Sequence, residues 1–214
     1  MVYLPEHFEE LRPELVQRLI AACPLATLVT IGTGGIAANH IPLFLDPGRG
    51  DNGTLIGHVA RNNTVWEPDE HEGESLAVFQ GADAYISPNW YASKAATHEV
   101  VPTWNYATVH AYGPLVVHDD EKWLRGAVGR LTKKMEEGQP SPWKMADAPG
   151  QYITGMLANI VGIEIPIVRI ASKWKTSQNR TREDRLSAIE GLRSGGSPSE
   201  QAMADLIEHT FEGD

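Results

Sequence analysis

Three short clusters in this chain combine aromatic rings with hydroxyl, amide or cationic side chains. They are the tracts from Tyr85 to Tyr91, from Val101 to Tyr106 and from Lys173 to Asn179. A planar heteroaromatic ligand with a phosphate tail needs this combination. Rings and backbone enclose its plane, amides meet its edge, and Lys or Arg with Ser or Thr binds its phosphate. The alternative is that the rings fill a β-barrel core and the polar groups cap loops.

Signatures of other common sites are missing from the sequence. It contains no G-x-G-x-x-G, P-loop, H-E-x-x-H or G-x-S-x-G motif. None of the eight histidines lies at a recognised metal-ligand spacing, so we predict no metal site. His40 and His58 fall in or beside expected strands, where a hydrogen-bonded histidine is the commoner outcome. No side chain is identified as a catalytic acid, base or nucleophile.

The charge balance argues against a general nucleic-acid binder. The formal net charge is −10, from 28 acidic and 18 basic side chains, and a surface with this balance repels polyanions. Contact with DNA is possible but is not supported by this charge. Positive charge is nevertheless concentrated at Lys173, Lys175, Arg180, Arg182 and Arg185. Such a tract is either a solvated approach to a helix or a site for an anion.

Cysteine usage and hydropathy bear on the compartment. The single cysteine, Cys23, excludes an intramolecular disulfide and a cysteine-rich zinc module, which favours a cytoplasmic location. The first residues lack a basic segment followed by an apolar one, and no later stretch is apolar enough to span a bilayer. We therefore expect no membrane partner.

Hydrophobic periodicity predicts the elements that position the three clusters. An amphipathic helix is expected after Pro5 through Ala22, with others at about 120–135, about 151–160 and beyond Arg182. A capping box at Ser197 and Glu200 predicts a further terminal helix. Strands are expected at 26–31, 36–45, 54–59, 76–79, 84–87, 106–117 and 161–170, with Gly81 separating two of them.

This order of elements predicts the fold class. Many short strands with a few interrupting helices, and no regular βαβ alternation, favour a mainly β fold with peripheral helices (α+β), a barrel rather than a doubly wound sheet. A chain of 214 residues is long enough for one sizeable core. We predict a binding domain over residues 1–180 and a helical extension over 181–214 that packs on the same domain.

Five segments, taken in order, resemble the PaiB family of FMN-binding negative transcriptional regulators. They are Tyr3-x-Pro5-x-His7-Phe8, Gly57-His58-x-Ala60-Arg61-x-Asn63, the Tyr-Ile-Ser-Pro-x-Trp-Tyr run from Tyr85, Pro-Thr-Trp-Asn-Tyr from Pro102, and Lys175-x-Ser177-Gln178-Asn179. Each motif alone is weak. Five in register, within a likeness that runs from residue 3 to about residue 192, make the resemblance specific.

The resemblance implies a split β-barrel of the flavin-binding type. It also implies a homodimer in which each FMN site is built from both subunits. By the same likeness, Arg61, Lys175 and Ser177 are expected at the phosphate, and Thr103, Trp104 and Gln178 at the flavin ring and its edge. Ser87, His40 and His58 are further candidate cofactor contacts.

Two functions from different classes are consistent with these observations. In the first, the protein is a negative transcriptional regulator or flavin-dependent sensor, in which the state of FMN alters contact with a partner. In the second, it is an oxidoreductase that uses FMN to act on a small molecule. A haem-binding or haem-degrading protein, with His40, His58 or His110 as iron ligands, is a third and less favoured alternative.

Overall fold

The computed structural model describes residues 2–213. The helices are α1 (Pro13–Ala22), α2 (Lys94–Thr97), α3 (Glu121–Glu136), α4 (Gly150–Leu157), α5 (Arg182–Gly195) and α6 (Pro198–His209). The strands are β1 (Leu25–Gly32), β2 (Gly35–Asp46), β3 (Thr54–Ala60), β4 (Glu74–Ile86), β5 (Thr103–Pro114), β6 (Val116–His118), β7 (Ile160–Pro166) and β8 (Arg169–Lys175). Met1 and Asp214, the outer ends of the two predicted segments, lie outside the described residues.

The described strands form an eight-stranded sheet in the order β6-β7-β3-β2-β1-β4-β5-β8. Pairing is antiparallel between β1 and β2, β1 and β4, β2 and β3, β3 and β7, and β6 and β7. Alternate side chains of β1 point to opposite faces, and the inward ones, Ala26 and Leu28, have no exposed surface. A mainly β fold with peripheral helices is confirmed.

The chain divides into two compact units, and the first comprises Met1–Leu19, Gln80–Val109 and Ala171–Asp214. Its core joins α5 and α6 to the end of β4, where Ile86, Leu192, Met203 and Ile207 are fully buried. The predicted capping box at the start of α6 is present: the Ser197 side chain accepts from the backbone N–H of Glu200, and the Glu200 side chain accepts from that of Ser197.

The second unit comprises Ile20–Phe79 and His110–Ile170. Helix α3 packs on the sheet through Ala127, which lies against Phe44 and Ile56. Of the two candidate caps before this helix, Asp119 and Asp120, it is Asp120 that caps it, because its carboxylate accepts from the backbone N–H of Trp123 at 2.8 Å. Within residues 2–213, no helix combines the length and apolar character needed to cross a membrane.

The predicted N-terminal helix is wrong in its first half. The chain forms a single 3₁₀ turn at Glu6–Phe8 and only begins α1 at Pro13. Arg12 precedes that proline, and a residue in this position is biased away from helical backbone. The segment instead pairs with β8, where the Glu10 N–H donates to the Ser172 carbonyl at 3.0 Å.

Three other strand predictions also need correction. The strand expected over 106–117 is two strands, because β5 ends at Pro114 and β6 begins at Val116. The two short runs expected on either side of Gly81 are one 13-residue strand, β4. A Cβ at Gly81 would lie 2.9 Å from Leu19 Cδ1, so this glycine admits a neighbouring side chain rather than ending the strand. Conversely, the single strand expected over 161–170 is two strands, because β7 ends at Pro166 and β8 begins at Arg169.

Candidate functional site

In the first unit, the side chain of Lys175 contacts residues of the cluster from Val101 to Tyr106. It lies at the end of β8, and its Nζ donates to Thr103 Oγ1 at 2.5 Å and to the Trp104 carbonyl at 2.6 Å. Thr103 begins β5, which neighbours β8 in the sheet. The structure therefore brings together Thr103, Trp104 and Lys175, which the sequence resemblance assigned to one site.

A tight turn follows β8 and carries Ser177. This residue has φ of 63°, the left-handed region that favours glycine. The Gln178 side chain fixes the turn, because its Oε1 accepts from the Thr176 N–H at 2.7 Å and its Nε2 donates to the Trp174 carbonyl at 2.5 Å. Asn105 Nδ2 donates to Ser177 Oγ at 2.8 Å, which ties the turn to β5.

The electrostatics of this site favour an anion. Burial, together with the neighbouring charge of Lys173, lowers the pKa of the Lys175 ammonium below its ordinary value. Within the described residues no carboxylate pairs with Lys175, and its two contacts are neutral oxygens. An oxyanion would supply the missing countercharge.

Two buried acceptors beside this cation lack partners. Asn105 Oδ1 and Thr176 Oγ1 make no hydrogen bond in the described structure, although the two residues are 1% and 0% exposed. A buried polar atom without a partner costs free energy, so such atoms mark strain or the place of a ligand or water. The sequence clusters include Asn105 and Thr176, but sequence reasoning gave neither residue a role. A polar residue at an inward position of an alternating strand was the available signal for Asn105.

An exposed aromatic pair lies on the same unit. Trp104 is 52% exposed and Tyr85 is 46% exposed, and their rings meet edge to face at 6.1 Å. Trp104 Nε1 donates to Asp83 Oδ1 at 3.2 Å, which fixes the orientation of the indole. The Ser87 side chain caps the 3₁₀ turn that follows it, because its Oγ accepts a hydrogen bond from the Asn89 N–H at 3.2 Å.

Arg61 belongs to the second unit and has several partners there. Its guanidinium pairs with both carboxylate oxygens of Asp119, at 2.5 and 3.0 Å, and donates to the carbonyls of Ala158 and Ile160. The Asp119 carboxylate raises the pKa of Arg61, and Arg61 lowers the pKa of Asp119. In this conformation the side chain ties β3 to the segment before β7.

The histidines singled out from the sequence also lie in the second unit. His40 is exposed on β2, opposite Thr27 of β1. His58 lies on β3 opposite Gly162, and burial lowers the pKa of its imidazole, as it does for His110 on β5. Burial therefore favours the neutral form of both imidazoles. Across the described residues there is no group of three or more His, Cys, Asp or Glu side chains that could hold a metal ion.

Comparison with known proteins gives a family match over most of the chain. The family model described as "Putative FMN-binding domain" matches residues 2–169. The chain is 31% identical over 207 residues to the protease synthase and sporulation protein PAI 2 of Bacillus subtilis, with 97% of each chain covered. It is also 31% identical over 246 residues to an uncharacterised protein of Emericella nidulans, covering 99% of this chain and 98% of that one.

Solved structures share the fold at low sequence identity. The FAD and haem binding protein of Mycobacterium smegmatis matches with a TM-score of 0.58 and 17% identity, over 84% of this chain and 79% of that one. A flavocytochrome of Azotobacter vinelandii matches with a TM-score of 0.60 and 13% identity, over 86% and 78%. The fold is therefore a split β-barrel of the flavin-binding type. With the family match and the near full-length relative, it follows that this chain belongs to the PaiB family of FMN-binding-domain proteins.

Proposed function

We propose that the flavin of this protein is FMN and that its phosphate binds at Lys175. The observation that carries the proposal is a half-buried ammonium that has only neutral oxygens as partners, in a protein of net charge −10. A phosphate carries about −1.5 to −2 charges at pH 7 and would replace the missing countercharge. Thr103 supplies a hydroxyl next to this cation, and Ser177 remains a predicted phosphate contact.

The neighbouring residues fit the rest of a flavin. The exposed ring of Trp104 offers a flat apolar surface for the flavin ring. Asn105 Oδ1 and Thr176 Oγ1 are closed to solvent, so they would accept a hydrogen bond from a ligand only if the turn opened. Gln178 would contact the edge of the flavin ring only if its side chain gave up its hydrogen bonds to the Thr176 N–H and the Trp174 carbonyl. Arg61 would reach a phosphate only by exchanging Asp119, and Ser87, His40 and His58 remain predicted contacts. The bound flavin would supply redox chemistry, and these residues would bind and orient it.

We further propose a homodimer, and an exposed, largely apolar face in the second unit supports this proposal. Cross-strand pairs Leu25–Pro42, Thr27–His40, Val29–Ala38 and Ile31–Ile36 place their side chains on one face of β1 and β2, and Leu76 and Val78 of β4 lie opposite Val29 and Thr27. Leu25, Ile31 and Ile36 are 60%, 51% and 78% exposed. An apolar surface of this kind is typical of a protein interface, and a self-complementary one suits a two-fold dimer. His40 would then lie in the interface.

The biological role that we propose is a cytoplasmic flavin-dependent sensor that acts as a negative transcriptional regulator. This role follows from the resemblance to the PaiB family of negative transcriptional regulators; the relative from Bacillus subtilis is named as a protease synthase and sporulation protein. The net charge favours action through a partner rather than through direct DNA contact. Residues 181–214 would serve as an extension of the binding domain, because Met203 and Ile207 complete the core around Ile86.

The cofactor proposal is tested by titrating FMN and riboflavin, which has the same ring but no phosphate, into the wild-type protein and a Lys175→Ala variant. We expect the variant to lose about tenfold or more in FMN affinity, as for a charge-assisted hydrogen bond, and little in riboflavin affinity. Lys133→Ala, at an exposed position of α3, is the control. Equal losses for both flavins would place the phosphate elsewhere, and absence of flavin binding would overturn the proposal.

The role is tested on the flavin-loaded protein. A regulator should show no sustained turnover of NAD(P)H with common electron acceptors. Rapid NAD(P)H oxidation would instead support the oxidoreductase alternative. A shift of DNA that persists at physiological salt would establish direct DNA contact. The histidine-based haem alternative would gain support from a haem absorption band after reconstitution.

A further inference from the structure

The position of the Arg180 guanidinium is explained neither by the fold nor by the proposed flavin contacts. Its Cζ lies 4.7 Å from the centroid of the Tyr91 ring, so the guanidinium is stacked on an aromatic face. The residue is partly buried. Among the described residues, no side-chain or backbone acceptor receives a hydrogen bond from its guanidinium, and no carboxylate pairs with it.

This situation differs from that of arginines elsewhere in the chain. Arg12 pairs with Glu10 at 2.7 Å, Arg130 with Asp46 at 3.0 Å, and Arg193 with Glu208 at 2.6 Å. Arg182 stacks on Phe211 but is exposed, so water can satisfy its donors. A partly buried guanidinium without an acceptor keeps an uncompensated desolvation cost, which an oxyanion would remove.

The backbone places Arg180 at the flavin-site turn. Its N–H donates to the Ser177 carbonyl at 3.0 Å, so the turn that begins at Ser177 ends at Arg180. The ring of Tyr91 stacks on the guanidinium of Arg180. This tyrosine is 3% exposed, so close packing holds its ring in place as a platform. A stacked guanidinium still presents its N–H groups in the plane of the fork for bidentate binding.

The local charge exceeds what one phosphate requires. Lys173 and Lys175 bring two positive charges to the end of β8, and Lys173 helps to lower the pKa of Lys175. A monophosphate at about −1.5 to −2 is balanced by these two lysines. Arg180 is therefore surplus to the flavin phosphate and is available to a second anionic group.

We propose that Arg180, stacked on Tyr91, binds an oxyanion: the phosphate or carboxylate group of a small molecule that the flavin site senses or acts on. This inference rests on the proposed function, because FMN and the second ligand would both bind beside the turn from Ser177 to Arg180. It restricts the second ligand to anionic molecules. A neutral or cationic ligand would leave Arg180 without a countercharge.

The test is isothermal titration calorimetry of the FMN-loaded protein with two probes. Inorganic pyrophosphate represents phosphoryl ligands and malonate represents carboxylate ligands, and the tighter probe identifies the source. We expect Arg180→Ala to weaken the tighter probe by at least about tenfold, the size of a lost charge-assisted contact. Arg182→Ala removes the same charge two positions away and should change probe affinity less than about twofold.

Three outcomes would overturn the inference. The first is that neither probe binds the wild-type protein. The second is that Arg180→Ala and Arg182→Ala weaken probe binding equally, which would indicate a general charge effect. The third is that Arg180→Ala weakens FMN binding as much as probe binding, which would make Arg180 part of the flavin phosphate site. Arg180→Lys keeps the charge but loses the fork, and partial retention of probe binding supports the site without depending on a folding defect. If wild-type protein binds pyrophosphate but not FMN, the proposed cofactor fails while the oxyanion site stands.

Discussion

Asn105 Nδ2 lies 2.8 Å from Ser177 Oγ and donates to it, in a place where both side chains are almost fully buried. The bond connects β5 to the turn that follows β8, and it reaches a residue in the left-handed backbone region. A non-glycine residue persists there only when its surroundings hold it in place. The hydrogen bond is therefore part of what positions the turn between Lys175 and Arg180.

Substitutions at Ser177 separate the hydrogen bond from the backbone strain. Ser177→Ala loses the bond and keeps the strained Cβ, so we expect about 1–3 kcal/mol less stability. Ser177→Gly loses the same bond but adopts the positive φ freely, so it should be about 1 kcal/mol more stable than the alanine variant. Urea denaturation measures both. An alanine variant as stable as the glycine variant would show that the turn is not strained.

The pH dependence of FMN binding tests the charge state of Lys175. Only the ammonium form neutralises phosphate, and its pKa in the folded protein lies below the ordinary value of 10.5. FMN affinity should therefore fall as pH rises through the lowered pKa, before free lysine titrates. The folding linkage has the opposite sign: the unfolded chain binds the extra proton, so stability gains from Lys175 as pH rises towards 10.5.

Lys175→Arg provides the matched control for that titration. Arginine stays protonated throughout the accessible range, so the alkaline loss of FMN affinity should disappear even if affinity at pH 7 is reduced. Equilibrium titrations between pH 7 and pH 10, read from the flavin absorption band, measure both proteins. An identical alkaline loss in wild type and variant would assign the titration to another group.

A single charge on the apolar face of β1 and β2 should dissociate the proposed dimer. Ile36 pairs directly with Ile31, and both are exposed, so Ile36→Glu would bring a carboxylate into each half of a two-fold interface. We expect the variant to sediment as a monomer at micromolar concentration. Leu11→Glu, at a residue that is 76% exposed in the first unit, is the control and should leave the mass unchanged. A wild-type monomer would contradict the proposal outright.

Many strand positions along the chain were predictable because the local signals are strong. Alternating residues and the turn at Gly32–Gly35 define the hairpin of β1 and β2, and the cap at Asp120 defines the start of α3. The N-terminal segment and β4 were not predictable in this way. Their structure depends on partners distant in sequence: Ser172 for Glu10, and Leu19 for Gly81.

The candidate site was predictable only in part, for a similar reason. The resemblance named Lys175, Thr103 and Trp104, which the structure brings into contact. Asn105 and Arg180 acquire meaning only from the fold, because one has an unpartnered buried oxygen and the other lacks an acceptor. No periodicity or motif reports which polar atoms lack a partner, since that depends on every neighbour in three dimensions.

Gly162 on β7, opposite His58 of β3, provides a test of packing in the second unit. A Cβ at this position would lie 2.2 Å from Cζ3 of Trp123, whose indole stacks on His118 at 4.1 Å and 8° between planes. Gly162→Ala must therefore displace the indole, and we expect a loss of about 1–3 kcal/mol in the free energy of unfolding. Gly155→Ala is the matched control, because a Cβ there meets nothing within 4 Å inside α4 and alanine favours helix by about 0.5–1 kcal/mol. Urea denaturation should move the two variants in opposite directions, and a Gly162 variant as stable as wild type would show that Trp123 does not pack as described.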